Sequence, residues 1–159
     1  MQITLEEAFR GAERMVQVDN RRLTMRIPKG ARTGTKVRMA GAGPTGPDGQ
    51  PADIYLVIEV LPDPRYERQG DDLYTDVNVE LYTAVLGGEA RVTTMDGPVV
   101  LTIPAGTQPG QSFRLAGRGM PHLREPNVRG DLYARVKVQI PRNLNEEQRK
   151  LFEELARKR

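Results

Sequence analysis

Cysteine and tryptophan are absent from the 159 residues, and serine and histidine occur once each, as Ser112 and His122. Without cysteine there is no disulfide framework and no thiolate metal centre, which fits a reducing compartment. A single histidine is too few for the usual His-rich zinc catalytic sites. Ser112 falls on a strand-like stretch with no sharp nucleophile turn, and His122 falls in a Pro-containing loop, so a Ser–His hydrolase is not expected. Aromatic residues make up only 5%, which disfavours both a tryptophan-based sugar site and the interleaved aromatics of a nucleic-acid platform. No apolar run approaches a bilayer span, and Met1-Gln2-Ile3-Thr4 is not the basic-then-apolar opening of a secretory signal. These absences predict a cytoplasmic protein without a membrane partner.

What is present is a repeat. Ile27-Pro28-Lys29-Gly30-Ala31-Arg32-Thr33-Gly34 returns 76 positions later as Ile103-Pro104-Ala105-Gly106-Thr107-Gln108-Pro109-Gly110. At the same spacing Arg38-Met39-Ala40-Gly41-Ala42-Gly43 answers to Arg114-Leu115-Ala116-Gly117-Arg118-Gly119, and Leu5, Ala8 and Gly11 answer to Leu81, Ala84 and Gly87. Asp53-Ile54-Tyr55 matches Asp131-Leu132-Tyr133, 78 positions on. Self-similarity at a fixed period marks tandem structural units. The shared positions are backbone punctuation and apolar alternation with no His or Ser, which points to a scaffold and not to an enzyme. The expected fold is mainly β, two tandem modules with short helices over residues 1–68 and 69–143, then a C-terminal helix over 144–159. Units of about 70 residues sit near the lower end of what folds alone, so each is expected to lean on the other or on a partner.

Leu23, Met25 and Ile27 alternate with Arg22, Thr24 and Arg26, the pattern of a half-buried strand, and Val99, Leu101 and Ile103 repeat it. Each strand stops at a proline followed two residues later by glycine. Val37 and Met39, and their copies Phe113 and Leu115, are expected to point inward on the return strands. Ile54 to Val60 is apolar at nearly every position and predicts a strand covered on both faces, whereas Leu132 to Ile140 alternates around Val136, Val138 and Ile140. Leu5 to Phe9 and Leu81 to Leu86 predict single helical turns closed by glycines in a left-handed cap. In the last segment Asn145 and Gln148 form a capping box and Leu151, Phe152 and Leu155 an apolar stripe. Glu153 to Arg157 and Glu154 to Lys158 are expected ion pairs of about 0.3–0.5 kcal/mol each, too little to hold a short helix that has nothing to dock on.

Gly41-Ala42-Gly43-Pro44-Thr45-Gly46 satisfies GxGxxG, but Pro44, Pro47 and Pro51 forbid the helix whose N-terminus would face a phosphate, so a surface loop is expected. Asp71, Asp72 and Asp76 lack calcium-loop spacing and read as a turn and strand start. Alternation places Ile3 with Leu5, Val16 with Val18, and Ile54 with Leu56 and Ile58, each set on one side of its strand. Such sets are either plain core or a shallow depression beside an exposed edge, which would take an extended peptide by strand addition.

Read in order, Leu5-Glu6-Glu7-Ala8-Phe9-Arg10-Gly11, Ile27-Pro28-x-Gly30, Asp53-Ile54-Tyr55-Leu56-Val57-Ile58, Arg65-Tyr66-Glu67-Arg68-Gln69-Gly70-Asp71-Asp72-Leu73-Tyr74, Ala84-Val85-Leu86-Gly87-Gly88 and Gly117-Arg118-Gly119-Met120-Pro121 resemble the C-terminal region of Hsp40 (DnaJ-type) co-chaperones of the class without a zinc finger. The resemblance covers essentially the whole chain. It implies two tandem β-sandwich-like domains and a dimerising helix, binding of unfolded client proteins for delivery to Hsp70 (DnaK-type), and no cofactor, no metal and no catalysis. Carried over by position, it implies a client-peptide groove on the first domain at Ile3, Val16, Val18, Leu56 and Ile58. Arg14 is the neighbouring cation that would meet acidic residues of a partner tail, and Leu151, Phe152 and Leu155 form a homodimer interface. Where the family groove often has an aromatic, this chain has Val16. No His-Pro-Asp tripeptide and no Gly/Phe-rich linker occur, so the chain is expected to be a fragment without the J domain. The rival reading, from the net charge of +3 and the curved-DNA-binding relatives, is weak non-specific DNA binding, phosphate-driven and steeply salt-dependent.

Overall fold

The computed structural model describes residues 1–159 and carries the repeat into the backbone almost residue by residue. The first module runs β1 (Gln2–Ile3), α1 (Leu5–Arg10), β2 (Ala12–Val18), β3 (Arg21–Ile27), β4 (Lys36–Met39), β5 (Ile54–Val57) and β6 (Glu59–Val60). The second runs β7 (Glu67–Gln69), β8 (Asp72–Glu80), α2 (Leu81–Leu86), β9 (Gly88–Thr94), β10 (Gly97–Ile103), β11 (Ser112–Leu115) and β12 (Leu132–Gln139), and α3 (Glu146–Lys158) closes the chain. Every bound of α1, β2, β3 and β4 recurs 76 positions later in α2, β9, β10 and β11.

Each module sets an antiparallel hairpin, β2–β3 or β9–β10, against a second layer. In the second module that layer is one sheet ordered β11-β12-β8-β7, with β12 and β8 parallel over eight residue pairs. In the first module its counterpart is β4 paired with β5 and β1 paired in parallel with β6. The long-range hydrogen bonds repeat as well. Gly34 N–H donates to the Ile58 carbonyl at 2.8 Å and Gly110 N–H to that of Val136 at 2.8 Å, while Gly30 N–H reaches Ala8 O and Gly106 N–H reaches Ala84 O at 2.8 and 2.9 Å.

The alternation expected of β3, β4, β10 and β11 is met, with Met25, Ile27, Met39, Ile103 and Leu115 buried and Leu23, Val37, Val99, Leu101 and Phe113 half-buried against them. Ile54 to Val60 departs from expectation. The stretch is two short strands broken at Ile58, whose N–H donates to the Thr35 carbonyl, and Tyr55 and Val57 are exposed on the outer face. Ile140 lies past the end of β12 and is 73% exposed. The glycines closing α1 and α2 have positive φ, but ψ of 158° and 163° takes Gly11 and Gly87 out of the left-handed helical region. Strand β7 straddles the expected boundary at 68/69 and pairs with β8, so it belongs to the second module. The Asn145–Gln148 capping box is formed. Glu153 pairs backward with Arg149 at 3.2 Å instead of forward with Arg157, while Glu154 meets Lys158 at 3.9 Å.

The modules meet across a closely fitted joint. Arg68, with only 15% of its side chain exposed, donates to the carbonyls of Ala31 (2.7 Å) and Gly30 (3.2 Å) in the first module and of Gly70 (2.8 Å) at the start of the second. Asp71 accepts from Arg32 at 2.8 Å, and His122, exposed in its loop, lies 3.6 Å away. Asp72 Oδ1 accepts from Asp131 N–H, and Asp76 pairs with Lys137 at 3.2 Å, so these carboxylates serve internal pairing. Residues 41–46 form the expected helix-free loop, with a bridge between Thr45 and Pro51.

Candidate functional site

Strand β2 has a neighbour on one side only. It pairs with β3 along its whole length, Ala12 opposite Ile27 through Val18 opposite Arg21, and its other edge has no partner strand. An unpaired edge presents a row of free N–H and C=O groups, the template for strand addition. Alternation turns Arg14, Val16 and Val18 toward the second layer and leaves Glu13, Met15 and Gln17 in solvent. Val16 and Leu56 are half-buried and pack against the core, and Val18 is half-buried at the strand's end.

Ile3 and Ile58 are both 0% exposed. They form the floor beneath the strand and have no surface to offer a peptide, which corrects their expected place as contact residues. Burial of this depth contributes about 1.5–3 kcal/mol per side chain to the fold. Arg14 is paired within its own module. Its Nε donates to Glu7 Oε2 at 2.9 Å and its Nη2 to Oε1 of the same carboxylate. Glu7 Oε1 in turn accepts the Thr4 N–H at 3.0 Å as the N3 residue of the α1 capping box. The Arg14 hydrogen bond, then that from Thr4, holds the Glu7 carboxyl below its ordinary pKa, and Glu7 raises that of Arg14. The cation is therefore already neutralised by its own module. Glu7 lies on α1 and Arg14 on β2, so no periodicity within one element pairs them.

A second apolar surface lies at the far end. Helix α3 runs beside α2, with the Tyr82 and Phe152 ring centroids 6.2 Å apart, and between them opens a groove of about 560 Å³. Phe152 is half-buried, while Leu151 and Leu155 are 54% and 65% exposed and face a groove that Val85 and Leu86 also line, at 55% and 76% exposed. The expected stripe on α3 is thus present but is half of a larger patch. The α2 contribution was readable in the sequence, since Leu81, Tyr82, Val85 and Leu86 are more apolar residues than one short helix can bury.

Comparison with known proteins places these surfaces in context. Residues 1–141 match the DnaJ C terminal domain family. The chain is 44% identical over 155 residues to the Chaperone protein DnaJ of Deinococcus proteolyticus, which covers 98% of this chain and 48% of that protein. It is also 44% identical over 154 residues to Chaperone protein DnaJ 2 of Thermus thermophilus, covering 97% and 53% respectively. The Chaperone protein DnaJ of a Chelativorans species is 45% identical over 141 residues, 87% of this chain and 37% of that protein. The chain spans about half the length, or less, of these curated relatives. No helix is long and apolar enough to cross a membrane.

Proposed function

This chain belongs to the DnaJ C-terminal domain family, and from that premise we propose that it is a non-catalytic chaperone module whose first domain holds exposed apolar segments of unfolded proteins for delivery to a DnaK-type Hsp70 in the cytoplasm. The observation that carries this reading is the unpaired outer edge of β2, flanked by half-buried Val16, Val18 and Leu56. An extended client segment adds to that edge through its backbone, which is sequence-tolerant, and sets alternate side chains against the apolar row. Valine at position 16 makes the depression shallow, so each contact is weak. A homodimer through the α2–α3 groove tethers two such edges and raises the apparent affinity by effective concentration alone.

The test is suppression of aggregation of a thermally unfolded enzyme. Val16→Asp with Val18→Asp is expected to abolish it while the circular dichroism and melting curve stay those of a folded chain. Val18→Asp alone, outside the packed core, is expected to weaken it with the fold intact. Undiminished suppression by both variants overturns the assignment to β2.

A further inference from the structure

The outer face of the second module's sheet carries a pair of stacked phenols that the first module lacks. In β8, Leu73, Val77 and Val79 point to the core and Tyr74 stands on the outward row with Asp72 and Asp76. In β12, Leu132, Ala134 and Val136 point inward and Tyr133 stands outward with Arg135 and Lys137. The parallel register sets Tyr74 opposite Tyr133, and their rings stack with centroids 5.0 Å apart and planes 16° from parallel. One cross-strand row thus runs Glu67, Tyr74, Tyr133, Arg114 across all four strands, with both rings half-buried. The other three tyrosines have no phenol stacked on them. Tyr55, which the repeat places in the position of Tyr133, is exposed and faces Arg38 across the ladder. Tyr82 lies against Phe152, and Tyr66 is buried with its hydroxyl donating to the Thr93 carbonyl.

We propose that Tyr74 and Tyr133 form a site of oxidative modification, at which a one-electron oxidant driven by a peroxide joins the two rings as dityrosine. With neither Cys nor Trp in the chain, the phenols are its readiest one-electron donors. Each ring gives one electron to the oxidant and its phenolic proton to water, which leaves a phenoxyl radical with spin density on the carbons ortho to the oxygen. A Cε of one ring then bonds to a Cε of the other, and the hydrogen on each bonded carbon moves to its own oxygen, restoring both phenols. The O–O bond of the peroxide breaks as it accepts the two electrons. Hydrogen peroxide ends, with the two protons, as two molecules of water. Stacking in register holds the two radicals side by side and makes their coupling intramolecular, whereas a lone tyrosine must meet a second chain. The product is a covalent staple between β8 and β12, at opposite ends of the second module, which no turn joins.

The experiment irradiates the whole chain at micromolar concentration with a ruthenium trisbipyridine photosensitiser and persulfate as the peroxide, and separates the products on a denaturing gel. The band of single-chain mass is expected to show the blue fluorescence of dityrosine. After trypsin it is expected to yield a species joining Gln69–Arg91 to Gly130–Arg135 and lighter than their sum by two hydrogen atoms. Tyr74→Phe and Tyr133→Phe each keep the stacked rings but remove a phenol, and each is expected to abolish both signals. Tyr55→Phe is expected to leave them, as is Tyr82→Phe, which guards against a link from the second tyrosine of the same peptide. Chain unfolded in urea is expected to lose the link within one chain, because the ring pair exists only in the folded sheet. Absence of the joined species from the single-chain band overturns the proposal, as does its survival in Tyr74→Phe or Tyr133→Phe, its loss in Tyr55→Phe or Tyr82→Phe, or an equal yield in urea.

Discussion

The Arg129 guanidinium of the second module sits 4.8 Å from the centre of the Phe9 ring in α1 of the first. The same side chain donates to Asp96 at 2.6 Å and to the Gly119 carbonyl at 2.9 Å, so one residue ties a hairpin turn, a loop and the neighbouring module together. A partly desolvated cation–π contact contributes about 1 kcal/mol. Phe9→Leu is expected to lower stability by about that amount and Arg129→Ala by more, because Gly119 loses its donor. A double-mutant cycle by chemical denaturation checks the pair, and a coupling of zero removes it from the joint.

Gly30 and Gly106 occupy equivalent turns, with φ of +85° and +80°. A Cβ on Gly30 would lie 2.4 Å from the Pro121 carbonyl oxygen and 2.9 Å from Leu123 N, whereas a Cβ on Gly106 meets nothing within 4 Å. Alanine at 106 is expected to cost about 1–2 kcal/mol for its positive φ alone. Alanine at 30 adds a backbone collision and is expected to cost several kcal/mol, or to part the modules. Equal melting temperatures for the two variants refute the close approach.

Two carboxylates occupy repeated positions and titrate alike. The Gly41 N–H and then Arg38 hold the Asp53 carboxyl below its ordinary pKa, and the Gly117 N–H and Arg114 do the same for Asp131. A depressed folded-state pKa stabilises above the unfolded value, and that contribution is lost as pH falls through the folded one. Stability is therefore expected to decline below about pH 4, where unfolded aspartates begin to bind protons. Asp53→Asn with Asp131→Asn should flatten the acid limb of a denaturation-against-pH profile, and an unchanged limb would falsify this account.

Leu151→Asp with Leu155→Asp places charge on the two most exposed apolar positions of α3 without removing Phe152 from Tyr82. Light scattering is expected to give the mass of one chain for this variant and of two for the parent. Leu86→Asp, on the opposite wall, should have the same effect. A parent of single-chain mass, or a dimer in all three, removes the groove from the interface.

Local rules made much of this architecture legible. The alternation of Leu23, Met25 and Ile27, the Pro–x–Gly stops and the 76-residue echo place β3, β10 and their turns from sequence alone. Elements set by distant contacts were not legible in the same way. Ile58 reads as one more apolar strand residue, but the strand is interrupted there, whereas its counterpart Val136, held by the same two bonds to Gly110 and Gln111, stays within β12. Arg14 reads as a free cation until α1 brings Glu7 beside it. Arg129, Pro121 and Gly30 carry no shared pattern, because the fit they make exists only once two modules are folded side by side. At the β2 surface, periodicity showed which residues share a side. Separating buried Ile3 and Ile58 from half-exposed Val16 and Leu56 required the depth of the second layer.

The twin halves are built to one plan but are paired over different lengths. Strand β12 runs unbroken beside β8 for eight residues, whereas β5 and β6 divide the same span into pieces of four and two. The rear half thus gathers β7, at the joint, and β11, which leads to the turn at Gly117, into one four-stranded frame.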